Sequence, residues 1–269
     1  MSIKIYYYNY IMDIIKQKNA YFLSHNGLGD NITSIGAVNF LLNYYETIFF
    51  LCKDIHEDNV KLLFTNKPVI IVAFDSKNET NDCRRIIHNI HDNETNIFIS
   101  GYHTGYLKKK ITSPELLKYI QNDSNYSIKY QHIRNFYYDN NLDLSIYFNY
   151  FHIASSKISK EYYDDLENHK IVFLHTKASN REINLDDIIK KYENNNDYII
   201  ICANKNIYNI SNNNYELADK YVNINVAYYI DIIKNAEIIH VIDSCFSCIV
   251  YPLITSKQIT PIECIIHER

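Results

Sequence analysis

Residues 20–42 pass from a strand-like apolar stretch through a glycine turn into a helical period without interruption. Ala20-Tyr21-Phe22-Leu23-Ser24 leads into His25-Asn26-Gly27-Leu28-Gly29-Asp30-Asn31, and Ile32, Ile35, Val38, Leu41 and Leu42 follow at spacings of mostly three and four. Strand, glycine loop and helix in that order open an α/β sheet, and such sheets place ligands beyond the carboxyl ends of their strands. The chain has only five glycines, and Gly27, Gly29 and Gly36 fall within ten residues. Backbone so marked must turn tightly or lie close to something.

The same alternation continues. Strands are expected at 47–52, 69–73 and 96–99, with helices at 57–64 and 83–91 between them. The apolar runs are β-branched and do not alternate with polar residues, as parallel strands covered on both faces require. Residues 112–168 break the rhythm. They are rich in Tyr and Asn, with helical stretches expected at 114–121, 142–153 and 160–166. Strands then return at 170–175, 198–202, 237–242 and 262–266, with helices at 185–192, 226–235 and 245–253. Strands alternating with helices imply right-handed crossovers and parallel sheets. The chain reads as two α/β halves, 1–160 and 161–269, with a hinge near 155–168.

At 269 residues the length fits one large domain or two small ones, and 47% apolar residues supply a core. A net charge of −4 gives no basic surface for nucleic acid. The Asn tracts 194–196 and 212–214 read as loops of an AT-rich genome, a bias found in large DNA viruses and some microbes. Cys52 and Cys202 end apolar runs and Cys264 lies in one, so buried free thiols are expected in a reducing interior. Cys245 and Cys248 have CxxC spacing, but no second pair or histidine set accompanies them to hold zinc. No uninterrupted apolar window of about 18–20 residues suggests a membrane span, and residues 1–20 lack a secretory pattern. The expected location is cytoplasmic, or the host cytoplasm for a viral source.

Four polar loops follow strands. Gly27-Leu28-Gly29-Asp30 lacks the third glycine of a dinucleotide fingerprint, since position 32 is Ile, and no P-loop lysine follows. Asp30 would repel a phosphate; it fits either a general base facing a hydroxyl or a helix N-cap. His175-Thr176-Lys177-Ala178-Ser179-Asn180-Arg181 offers Lys177 and Arg181 as a grip for a diphosphate, with Ser179 and Asn180 as hydrogen-bonding groups, or else a solvated loop. Asp243-Ser244, with Ser247, opens a helix whose amides suit an anion or are simply capped. Ser100-Gly101-Tyr102-His103 ends the fourth strand on the same edge as the first loop. Lys108, Lys109 and Lys110 follow, either a solvated face or an attraction for an acidic acceptor. His240, inside an apolar run, reads as a core histidine. No GxSxG, HExxH or suitably placed Asp-x-Asp pair is present.

In this order the motifs resemble a two-domain GT-B glycosyltransferase, most closely the bacterial lipopolysaccharide heptosyltransferase-like family. The residues that carry the resemblance are Leu28-Gly29-Asp30-Asn31-Ile32 with Ile35-Gly36-Ala37-Val38, the loop 175–181, and Asp243-Ser244 before a helix. The resemblance implies an α/β fold of two Rossmann-like domains facing a cleft. It assigns Asp30 as catalytic base and Lys177, Ser179, Asn180, Arg181, Asp243, Ser244 and Ser247 as donor-binding residues. Gly27, Gly29 and Asn31 would shape the cleft loop, and His25, Asn26 and His103 would lie on the acceptor side. The implied reaction is sugar transfer from a nucleotide-diphosphate-sugar co-substrate to a glycan, lipid-linked or protein acceptor. It would be inverting, with neither metal nor other cofactor. The chain departs from the family at Cys245, where a glycine is usual, and at Cys248, where a histidine is usual. A nucleotide-sugar epimerase and a GT-B module without turnover share the architecture. A NAD-binding protein fits less well, because the second strand ends Leu51-Cys52-Lys53 without an acid.

Overall fold

The computed structural model describes residues 17–25, 27–92, 94–112 and 131–268. Asn26 and the helix expected at 114–121 lie outside these residues, as does most of the N-terminal stretch.

The first half contains strands β1 (Gln17–Leu23), β2 (Tyr45–Lys53), β3 (Val69–Phe74) and β4 (Asn96–Ile99), all parallel, in the order β3-β2-β1-β4. Helices α1 (Leu28–Thr33), α2 (Ile35–Leu41), α3 (Glu57–Leu63), α4 (Glu79–His88), α5 (Gln131–Asp139) and α6 (Ser145–Asn149) belong to it. In the second half, β5 (Lys170–His175), β6 (Tyr198–Cys202), β7 (Ile238–Ile242) and β8 (Glu263–His267) form a second parallel sheet in the order β6-β5-β7-β8. Its helices are α7 (Lys157–Asp164), α8 (Asp186–Tyr192), α9 (Tyr215–Asp219), α10 (Ile230–Asn235) and α11 (Cys245–Thr255). The fold is α/β with two Rossmann-like sheets, as the strand pattern implied. The apolar runs Tyr198–Cys202 and Ile238–Ile242 are buried almost throughout, which explains their lack of alternation.

The helix expected from Ile32 to Leu42 is instead two helices with a break at Ser34. The cause is a side chain from another element. The Tyr137 hydroxyl donates to the Thr33 carbonyl at 3.0 Å and accepts from the Ala37 N–H at 3.1 Å. Those two groups would otherwise bond each other across one helical turn, so an inserted side chain interrupts the ladder. Gly36 makes room for it: a Cβ there would lie 2.7 Å from the Tyr137 hydroxyl and 3.0 Å from the carbonyls of Ile146 and Tyr147. Tyr137 sits on α5, a helix the sequence pattern did not mark, and burial raises its phenol pKa.

α7 spans the boundary expected at 160/161 and packs against α10 and the turn before it. Asp231 accepts from the hydroxyls of Ser155 at 2.5 Å and Ser159 at 2.6 Å, so the stretch expected to act as a hinge is tied to the second half. Most buried apolar residues form one core continuous through both halves, and a smaller separate cluster gathers Leu23, Leu51, Phe74, Cys83, Ile97 and Ile99 in the first. Tyr251 of α11 packs on Tyr147 and Phe148 of α6, and the Gln258 amide donates to the Phe151 carbonyl at 2.5 Å. The cysteines are free thiols, as expected. Among the described residues, no helix is long and apolar enough to cross a membrane.

Overpacking costs about 1–3 kcal/mol when neither backbone nor neighbour can yield. Gly36→Ala is therefore expected to lower the urea-unfolding midpoint by that amount of stability. Gly105→Ala is the control, because a Cβ at Gly105 meets nothing within 4 Å. Equal midpoints for the two variants would remove the Tyr137 insertion from the account.

Candidate active site

In each sheet the chain runs outward on one side of its first strand and then crosses to the other. The reversal falls between β1 and β4 in the first sheet and between β5 and β7 in the second. Crevices at such reversals, at the carboxyl ends of the strands, are where α/β sheets bind ligands. The four polar loops picked out in the sequence follow β1, β4, β5 and β7.

Two of these ends touch across the halves. A Cβ on Gly29 would lie 3.3 Å from the Cys248 Sγ and 3.5 Å from the Cys245 Cα, so the missing side chain lets α1 lie close against α11. Both Asp30 and Asp243 contribute to the electrostatic surroundings of Cys248. Burial pushes the Cys248 thiol up to about 12, and it packs against Thr33 of α1. The CxxC spacing thus serves helix packing, with neither thiol in a disulfide.

Asp30 is partly exposed at the third position of α1; Gly27 is the N-cap. One carboxylate oxygen, Oδ2, accepts the Gly27 N–H at 2.8 Å. Glycine has no side chain to reciprocate, so only one arm of a capping box exists. The Oδ1 oxygen of Asp30 has no hydrogen-bond partner among the described residues. His56, on the turn after β2, feels the Asp30 charge, although burial outweighs that attraction and lowers its pKa. Nothing in the sequence marked His56, because the turn 54–56 carries no glycine or motif. Asn31 is 2% exposed and donates to the Gly27 carbonyl at 3.0 Å, so it braces the turn from within.

The segment 176–183 is a tight hairpin. Ala178 N–H donates to the Arg181 carbonyl at 2.8 Å and Ile183 N–H to the Thr176 carbonyl at 2.9 Å. Lys177, Ser179, Asn180 and Arg181 are exposed on it. The Arg181 guanidinium has no ion-pair partner among the described residues, whereas Lys205 holds Glu182 at 2.9 Å. At the start of α11, Ser244 accepts the Phe246 N–H at 3.3 Å, and Ser247 accepts the Ser244 N–H at 3.0 Å. Ser247 also donates to Asp243 at 2.9 Å. The two serines therefore cap the helix and fix Asp243. His175 closes β5; its Nδ1 lies 3.1 Å from Ser244 Oγ and its ring packs on Phe246. His240 is 2% exposed within β7, a core histidine as expected, and bonds Glu263 and His267.

On the first sheet, His25 Nδ1 accepts the Tyr102 N–H at 2.7 Å. That bond leaves Nε2 to carry the proton of the neutral ring. Gly101 has φ +64°, and a Cβ there would lie 2.4 Å from the His25 ring, so both the turn and the ring position require glycine. His103 corrects an expectation. It is fully buried, with Nδ1 2.5 Å from the Tyr106 hydroxyl and Nε2 3.7 Å from Glu79, and as placed it cannot touch an acceptor. Lys109 and Lys110 are also engaged, the first with Asp139 and Asn141 and the second with Asp92.

Neither a protein-family model nor a curated protein matches the sequence. Solved structures do match the fold. A glycosyl transferase family 9 protein from Veillonella parvula superimposes with a TM-score of 0.59 at 11% identity, covering 94% of this chain and 88% of its own. The ADP-heptose lipopolysaccharide heptosyltransferase II of E. coli gives a TM-score of 0.52 at 6% identity, covering 87% and 82%. At such identities the likeness is one of architecture: the chain has the two-domain GT-B fold.

Burial pushes the pKa of His175 down to about 4, and that of His103 equally. Both rings are neutral in the folded chain and gain a proton on unfolding below about pH 6.5. The folded state loses nothing to them above that pH and is destabilised progressively as pH falls from about 6.5 toward 4. Unfolding midpoints are expected to drop between about pH 7.5 and pH 5, and His175→Gln to narrow the drop. A variant with the wild-type pH dependence would place the acid sensitivity elsewhere.

Proposed function

We propose that the protein transfers a sugar from a nucleotide-diphosphate-sugar donor to an acceptor hydroxyl, with inversion and without a metal ion. The observation that carries this reading is the meeting of α1 and α11 at Gly29. It brings the carboxyl ends of β1 and β7 together, near enough that Asp30 and Asp243 both act on Cys248. The fold shared with the structures above agrees with it, while fold alone leaves the chemistry open.

In this reading the donor lies on the second half. Lys177 and Arg181 neutralise its diphosphate, the N-terminal dipole of α11 adds to that field, and Asp243 accepts a donor hydroxyl. The acceptor lies on the first half with one hydroxyl against Asp30 Oδ1. Asp30 takes the hydroxyl proton as the oxygen bonds to the anomeric carbon. The bond from that carbon to the phosphate oxygen breaks, and the nucleoside diphosphate leaves with the electron pair. Lys177 and Arg181 stabilise the charge that develops on it. One displacement inverts the anomeric centre.

A melting screen with UDP, GDP, ADP, CMP and dTDP, and their sugars, tests donor binding. A true ligand at 100 times its Kd stabilises by about 2.7 kcal/mol, and the shift is expected for one diphosphate family with or without EDTA. Asp30→Asn is expected to reduce turnover by at least about 100-fold, the usual lower bound for a general base. It should keep the donor-induced melting shift, because an amide oxygen still accepts the Gly27 N–H. Wild-type turnover in Asp30→Asn removes the base role. No melting shift with any diphosphate replaces the transferase reading with a module that does not turn over.

A further inference from the structure

Tyr102 is 54% exposed at the carboxyl end of β4, on the same edge of the sheet as Asp30. Single exposed aromatics are ordinary. This one is held in place. Its N–H is bonded to His25, the preceding Gly101 N–H donates to Asp139 Oδ2 at 2.7 Å, and its ring stands edge-on to His103 and Tyr106. Its hydroxyl has no partner among the described residues.

Tyr102 lines a cavity of about 330 Å³ whose other lining residues are Ser76, Lys77, Asn78, Glu79 and Thr80. That loop is braced from below. Asp54 accepts the N–H groups of Ile55 at 2.9 Å and Ser76 at 3.2 Å, which ties the loops after β2 and β3 together. Asp75 accepts the Lys77 N–H at 2.8 Å and donates its own N–H to Asp82 at 3.0 Å. Glu79 is held by Lys53 at 2.9 Å. A preorganised wall loses little conformational freedom when a ligand binds.

The lining selects a ligand class. An aromatic residue stands beside Ser76, Lys77, Asn78, Glu79 and Thr80, which offer hydroxyl and amide groups and one charge of each sign. A pyranose ring presents a C–H face to an aromatic ring and hydroxyls around its rim to such groups. An acyl chain would need an apolar lining, and an anion would need a clear excess of positive charge. We propose that Tyr102 and the loop 76–80 form a subsite for a neutral saccharide ring. Its identification as the acceptor's sugar rests on the transferase reading above; saccharide binding itself does not.

The chain contains no tryptophan, so Tyr102→Trp introduces one indole at the site, excited selectively at wavelengths that the tyrosines do not absorb, and keeps an aromatic ring there. The probes are methyl glycosides of glucose, mannose and galactose, with inorganic phosphate as the anionic comparison. A saturable emission change with at least one glycoside is expected. In melting-shift titrations with that glycoside, Tyr102→Phe should match the wild type and Tyr102→Ala should bind about tenfold more weakly. The bond from the Tyr102 N–H to His25 is made by the backbone and survives in the alanine variant, which loses the edge contact between the two rings; the phenylalanine variant keeps both. Silence with every glycoside, or a response to phosphate alone, overturns the proposal. A glycoside response in a protein that binds no nucleoside diphosphate keeps the subsite and removes its role as acceptor site.

Discussion

The first turn of α1 lies against the first turn of α11, and glycine at position 29 lets them meet closely. A Cβ at position 29 would lie 3.3 Å from the Cys248 Sγ, close enough that the thiol would have to give way by a few tenths of an ångström at the edge where the loops of the two halves meet. The polar loops after β5 and β7 belong to a different sheet from Asp30, and this contact sets their separation. Around it the core is continuous, with α11 packed on β7 beneath and on α6 across the boundary. The relation between the two sheets is thus fixed by packing density as well as by chain connectivity.

The position of α1 is fixed a second time from behind. Tyr137 enters the ladder between Thr33 and Ala37 and divides one helix into two. The last turn of α1 and the first of α2 are therefore anchored to α5, which also holds the loop after β4. Asn140, just past α5, accepts the Ile99 N–H at 2.6 Å, and Asp139 accepts the Gly101 N–H. The loops after β1 and β4, on which Asp30 and Tyr102 ride, thus share one support. Rigid backing of this kind keeps a reactive group within the narrow geometry that transfer chemistry requires.

Much of this was legible in the residues. Non-alternating apolar runs such as Lys170–His175 and Tyr198–Cys202 have to be covered on both faces, and the two parallel sheets follow from that. The glycine cluster at 27–36 announced close approach, and both Gly29 and Gly36 turn out to be approached closely. What could not be read are partners distant in sequence. Nothing around Tyr137 signals that its hydroxyl enters a helix about 100 residues earlier. The helix at 131–139 lies in a stretch rich in Tyr and Asn, with no glycine or proline near it to mark an end. His103 looked like a loop residue near a cleft because its neighbours are polar. Its burial depends on Glu79, Phe74 and Tyr106, which only the folded sheet brings together. Asp30 was weighed as an N-cap or a base, yet it occupies the third helical position, where its carboxylate reaches back to Gly27.

The most direct measurement is the crystal structure of the protein with the nucleoside diphosphate that it binds. The account expects the diphosphate between the hairpin 176–183 and the first turn of α11, contacted by Lys177 or Arg181, with its free end directed toward Asp30. A diphosphate bound away from these two loops, or with its phosphates turned from the α1–α11 contact, would contradict it.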